Sequence, residues 1–270
     1  MSKLKTWIIS IIAFFVSLIV VAPFGFIIIN SFKTKKEAAD MSFSIPETWN
    51  IVENYTEVLE TGVFNAFKNS CLVTFLTVFL VVFLSAAAAF VLQRTKSRLT
   101  EALSSYFVLG IIVPAQIIPT YILCHHLHVT EFAGAILTLI AGCMPMSVFL
   151  YLSGMKSIPK EIDEAAFLDG CSTIRLFFSI IFPLLKPMTV TVFVINFMNV
   201  WNNFETTIYF LNKSDNYTLP LTIYNFFGTH SSDWNLVFAD VVICSLPVII
   251  IYFCAQKQIM SGMTSGAVKG

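Results

Sequence analysis

The sequence predicts an all-α, polytopic membrane protein with six transmembrane helices, and three observations carry that prediction. Hydrophobic residues make up 57% of the chain and charged residues only 12%, against about 25% charged in a soluble globular domain. Six apolar stretches, 7–29, 70–92, 102–123, 132–152, 188–211 and 236–255, meet or approach the roughly 20 residues that span a bilayer as helix. A strand barrel would instead show weaker segments of about 10 alternating residues, which are not present here.

Taken in order, the stretch 7–29 follows Lys3 and Lys5 as a secretory signal would, but it is too long and no small-x-small cleavage site follows it, so an uncleaved helix is expected. The polar, aromatic segment 30–69 is too long for a turn and predicts a small cap with short helices around 50–61. Helix 102–123 holds Pro114 and Pro119 around Gln116, so a bend with unpaired carbonyls is expected there. The charged island 154–187 interrupts the apolar pattern between 132–152 and 188–211. In the tail, Gly262, Gly266 and Gly270 argue against continuous helix over 261–270. The expected organisation is therefore 1–30 as an N-terminal helix, 31–69 as an outer segment, 70–260 as a five-helix core carrying the loop 154–187, and 261–270 as a tail.

Orientation follows from Lys and Arg, which accumulate on cytoplasmic flanks. With the N-terminus inside, 11 of the 16 basic residues fall on the inner side, against Lys33, Lys35, Lys36, Lys68 and Lys213 outside. Both termini and the island are thus expected in the cytoplasm. The net charge of zero hides this asymmetry and by itself says nothing about nucleic acid, and no nucleic-acid partner is expected.

Several features read as structure rather than chemistry. The cysteines Cys71, Cys124, Cys143, Cys171, Cys244 and Cys254 are scattered without metal or redox spacing. His125, His126 and His128 resemble a metal clip, yet only Glu131 stands near, and exposed histidines in an outer turn are the expectation. Asp240, early in the last helix, is accounted for by the helix dipole. No cofactor or metal site, and no catalytic residue, is predicted in this chain.

The island is where a partner would grip. Pro159 fits a first helical turn, Glu161, Asp163 and Glu164 complement the dipole, and Gly170 suits the end of the helix. Ile158, Ile162, Ala165 or Ala166, and Asp169 share one face at spacings of three and four, and the alanines make it a surface that another protein can approach closely. Ser172 or Thr173 can cap a second helix that returns Phe177, Phe178, Ile181 and Phe182 to the bilayer. A helix lying flat on lipid would carry abundant Lys and Arg. This one is acidic and predicts a protein pocket.

Glu164-Ala165-Ala166, Asp169-Gly170, Ile181 and Pro183 resemble the EAA loop of the permease subunits of bacterial ATP-binding-cassette importers, with Cys171 where Ala is usual. The likeness runs through Pro46, Trp49, Asn54, Tyr55, Asn69-Ser70, Pro114, Gln116, Pro119, Trp201-Asn202, Leu219-Pro220, Trp234, Pro247, Gln256 and 266–270, in the pattern of the carbohydrate-transporting branch and its maltose-type inner permeases. Residues 1–20 and 124–131 depart from it. The resemblance implies a type I importer permease working as half of a heterodimer, with an ATPase dimer that binds the ATP and Mg, an extracytoplasmic sugar-binding protein and a sugar substrate. It assigns ATPase coupling to Ile162, Glu164, Ala165, Ala166, Asp169 and Gly170, and a tail contact to Gly266 and Lys269. The missing G-x-x-x-x-G-K-[ST] loop agrees, since energy must then arrive from another subunit.

Polar groups within a membrane face a bundle interior or a cavity. Asn196, Asn199 and Asn203 recur on one side of the fifth helix, interleaved with Phe197, Trp201 and Phe204. Amides donate and accept toward hydroxyls and aromatic faces stack on pyranose rings, so Asn196, Asn199, Trp201, Asn203, Phe204 and Gln116 are the candidate sugar path. Interhelical hydrogen bonding is the alternative for each Asn, and backbone repair for Gln116. Glu205 adds an ionisable group to the same region, explained by a cavity or by an interhelical ion pair. The remaining alternatives are a non-sugar solute and an ion-coupled secondary carrier, for which Glu205 is the one candidate residue.

Overall fold

The structure, a computed structural model, describes residues 3–113, 116–227 and 232–267. Among them the elements are helical, with one isolated bridge between Phe227 and Ser232. The chain divides into two compact units, Met1–Phe67 with Leu219–Leu246, and Lys68–Thr218 with Pro247–Gly270.

In the first unit α1 (Lys3–Ser31) is apolar on every side and leaves Trp7, Ile19 and Val20 exposed, the signature of a helix solvated by lipid. Two short helices follow, α2 (Lys35–Ala39) and α3 (Ile51–Val58), the second within the stretch 50–61 read as helical. Buried polar contacts pin this segment. Lys33, only 1% exposed, donates from Nζ to Asn30 Oδ1 at 3.0 Å, to the Ser42 carbonyl at 2.7 Å and to Ser42 Oγ at 3.1 Å. Asn54 donates to the carbonyls of Ser31 and Lys33 and accepts from Asn235 Nδ2 at 2.8 Å. A short π-turn, Leu59–Val63, then leads toward α4 (Phe64–Arg94). Gly62 has φ +88 there, a conformation open to glycine and costly for a side chain.

The second unit holds α5 (Arg98–Ile112), α6 (Ile117–His126), α7 (Glu131–Met155), α8 (Glu161–Leu168), α9 (Thr173–Leu176), α10 (Phe182–Leu184), α11 (Lys186–Trp201) and α12 (Glu205–Phe210). After it come α13 (Leu219–Thr222) and α14 (Trp234–Ala267).

Four of the six expected spans are single helical stretches, Ile9–Ser31, Ile51–Arg94, Glu131–Met155 and Trp234–Gln256. The other two differ from the sequence expectation. The third comprises two helices, α5 of 15 residues ending at Ile112 and α6 of 10 residues starting at Ile117. Val113 is extended (φ −79, ψ 119), as steric conflict with a following proline requires. The fifth does not run to 211. Its helix α11 stops at Trp201, and the approach from the island bends by 77° between Thr173–Leu184 and Lys186–Trp201.

Two further expectations are corrected. Helix α14 continues through Gly262 and Gly266 to Ala267, because an isolated glycine costs a helix only about 1 kcal/mol. Asp240 lies beyond the first turn of that helix and is 1% exposed. Its carboxyl meets Thr222 Oγ1 at 2.9 and 3.0 Å and Cys244 Sγ at 3.8 Å. Side-chain hydrogen bonding, rather than the helix terminus, accommodates it.

Candidate functional site

The charged island folds as a helix seated on a packed base. Ile158, Ala166, Leu176, Phe177, Ile181, Tyr151, Met155 and Leu185 belong to one buried cluster with Ala86, Ala89 and Phe90 of α4, and Ile162 packs against it. Gly170 ends α8 with φ +77, and Ser172 Oγ accepts from the Arg175 amide at 3.4 Å to start α9. Both are the boundaries that the sequence predicts.

The face assignment is corrected. Ile158, Ile162 and Ala166 point inward, with Ala166 only 6% exposed, because the larger apolar groups on that side are worth more in the cluster than in water. The open face carries Glu161, Glu164, Ala165 and Leu168, with Phe167 and Asp169 also exposed. Leu168 is 89% exposed. Ile162 and Ala166 thus seat the helix, while Glu164 and Ala165 are free for a partner.

Sequence reasoning missed the clamp beneath. Asp163 is 8% exposed, and its Oδ2 lies 2.6 Å from Arg94 Nε at the end of α4. Arg94 Nη2 also donates to the Ile158 carbonyl at 3.2 Å and to Asp163 Oδ1 at 3.3 Å. The guanidinium therefore ties α8 and the turn before it to a membrane helix with the fixed fork that arginine provides. The sequence signal was present, since Arg94 is the one basic residue in the last turn of α4.

At the two helix breaks a second, polar feature forms. Gln116, Thr120, Thr138, Asn199, Asn203 and Glu205 line a cavity of about 170 Å³. Its apolar neighbour, about 630 Å³, shares Thr120, Thr138 and Gly142 and is walled by Tyr106, Phe107 and Pro145. Asn203 Oδ1 accepts from the Thr206 amide at 2.9 Å and starts α12. Its NH2 group remains available. The side chains of Gln116, Asn199 and Glu205 are exposed and make no hydrogen bond among the described residues.

Of the predicted sugar path, the cavity gathers Gln116, Asn199 and Asn203, together with Glu205. Asn196 does not join them. It is 3% exposed and donates to Ser147 Oγ at 2.9 Å and to the Val192 carbonyl at 2.7 Å, so it links α11 to α7. Trp201 is 2% exposed and stacks on Phe197 at 5.4 Å and 17°. Phe204 is half-buried at the break. Packing claims these three: Asn196 and Trp201 lie on covered sides of α11, which stays helical through Trp201, and Phe204 lies beyond its end.

The histidines are His125 and His126 in the last turn of α6 and His128 beyond it, and among the described residues no group of three or more His, Cys, Asp or Glu is arranged to hold a metal. Gly266 lies in α14, whereas Lys269 and Pro114 lie outside the described residues.

Comparison with known proteins agrees with this architecture. Residues 81–265 match the family described as binding-protein-dependent transport system inner membrane component. The chain is 33% identical over 268 residues to a probable starch degradation products transport system permease protein of Thermoanaerobacterium thermosulfurigenes, covering 98% of this chain and 97% of that one. It is 31% identical to a trehalose/maltose transport system permease protein of Thermococcus litoralis, covering 99% and 98%. Among solved structures, a chain of a bacterial ABC transporter involved in the import of the acidic polysaccharide alginate superposes with a TM-score of 0.82 at 19% identity, over 95% of this chain and 98% of that one.

Proposed function

The chain belongs to the binding-protein-dependent transport system inner membrane components, and from that premise we propose that it is one permease subunit of an ATP-driven importer of sugars or oligosaccharides. It is a transport subunit in a bacterial cytoplasmic membrane. ATP and Mg are bound and ATP is hydrolysed by a partner ATPase dimer, a second permease completes the pathway, and an extracytoplasmic binding protein delivers the solute. Both termini and the island face the cytoplasm.

The observation that carries the reading is α8: an acidic helix whose inner face is packed and clamped while its outer face, Glu161, Glu164, Ala165 and Leu168, is left open. A soluble partner gripping that face would move a rigid body. The Arg94–Asp163 pair passes the motion to α4, and the bend at Leu185 passes it to α11. Interfaces with discrete arrangements turn such displacements into alternate states, and α11 ends at the polar cavity.

Glu164→Lys combined with Ala165→Asp tests the coupling role. Both positions are exposed, so folding is expected to survive. Association with the ATPase, measured by co-purification, and ATP-dependent uptake should both fall by at least about tenfold, as charge reversal in an interface does. Normal association and uptake would refute the role of α8.

A further inference from the structure

The polar cavity carries an asymmetry of charge. Of its lining residues, Glu205 is the only ionisable carboxylate, and no lysine, arginine or histidine joins it. The remaining polar groups are amides and hydroxyls, from Gln116, Thr120, Thr138, Asn199, Asn203 and Thr206, which can both donate and accept. Cations on the neighbouring elements do not neutralise Glu205. Lys213, past the end of α12, is taken by Glu131 of α7 at 2.7 Å. His125 and His126 stand at the opposite end of α6 from Gln116, about 15 Å away at the rise of an α-helix. Among the described residues Glu205 forms no ion pair.

We propose that Glu205 is a specificity-determining residue that makes this cavity anion-excluding, so that it admits uncharged, hydroxyl-rich oligosaccharides and turns away uronates and phosphorylated sugars. The inference rests on the permease reading above and narrows it to a substrate class. A like charge entering a cleft whose one fixed charge has the same sign is repelled, and apolar walls focus that field beyond its strength in bulk water. Neutral hydroxyls suffer no such penalty and find the amide groups that the helix breaks leave unpaired. Discrimination here is therefore by repulsion as well as by attraction, a general route to specificity.

The field in the cavity can be measured without transport. In the assembled complex, with the cysteines of all subunits replaced, Asn199→Cys supplies a reporter thiol. Its reaction rates with a trimethylammonium-ethyl and a sulfonato-ethyl methanethiosulfonate are each divided by the rate of a free thiol. With Glu205 present, the cation should be favoured over the anion by about tenfold, and Glu205→Gln should bring the ratio back to about one. Should Glu205→Gln fail to assemble, the Glu205 complex is compared at low and high salt, where screening should collapse the preference. An equal ratio with and without the carboxylate, a ratio indifferent to salt, or a thiol that neither reagent reaches would each overturn the proposal. A wild-type complex that shows the charge preference but takes up no sugar would instead count against the permease reading.

Discussion

The seat of α8 and the cavity at the ends of α11 and α6 are both built by interrupting helices, yet they treat the freed polar groups in opposite ways. Around α8 they are consumed: Arg94 pairs with Asp163 and reaches the Ile158 carbonyl. At the cavity, Gln116, Asn199 and Glu205 are left open. Under the proposed function, the region that transmits force turns its polar groups toward one another, and the region that receives a solute keeps them in reserve.

The contrast breaks first at the clamp. Arg94→Ala would strand the Asp163 carboxylate, and removing one partner of a buried pair costs about 3 kcal/mol. Thermal unfolding in detergent should report the loss, while the double variant Arg94→Leu with Asp163→Leu should recover much of it. If the single change is silent, the clamp does not hold α8.

Near the cavity the limit is packing. A Cβ on Gly134 would come within 2.6 Å of the Phe210 ring and 2.7 Å of the Val129 carbonyl. Gly134→Ala should therefore displace α12 from α7 at a cost of about 2 kcal/mol, seen as a lower unfolding temperature and altered reactivity of Asn199→Cys. Asn196→Leu should cost less, about 1 kcal/mol, since interhelical hydrogen bonds in membranes are modest. Uptake unchanged at near-normal stability would mark Asn196 as a strut, whereas a lost substrate preference would return it to the solute path.

The smallest effect belongs to the segment around α2. Hydrogen bonds from the Thr34 amide and hydroxyl and from the Glu47 amide hold the Glu37 carboxyl below its ordinary value. The stabilisation is thus complete above the usual carboxylate range and fades as pH falls through the lowered value. Protection of the α2 amides, taken relative to the intrinsic exchange rate at each pH, should fall only under acid conditions, and Glu37→Gln should remove that pH dependence.

Much of this was legible in the sequence. Apolar length gave the spans, and Glu161, Gly170 and Ser172 gave the island its helix boundaries through dipole, left-handed backbone and capping. The sequence misled where one helix was assumed to persist. Asn196, Asn199 and Trp201 all lie on α11, so which of them is covered depends on the neighbours that helix packs against, while Asn203 and Phe204 fall beyond its end. The inner and outer faces of α8 were transposed as well. Its periodicity identified Ile158, Ile162 and Ala166 as one stripe, but which stripe is covered depends on Phe177, Ile181 and the aromatic turn that folds back beneath it.

Site-directed cross-linking in the assembled complex tests the orientation of α8 most directly. Single cysteines at Glu164, Ala165 and Leu168 should form cross-links to the ATPase subunit, and cysteines at Ile162 and Ala166 should not. Cross-links confined to Ile162 and Ala166, or absent from all five positions, would contradict the account.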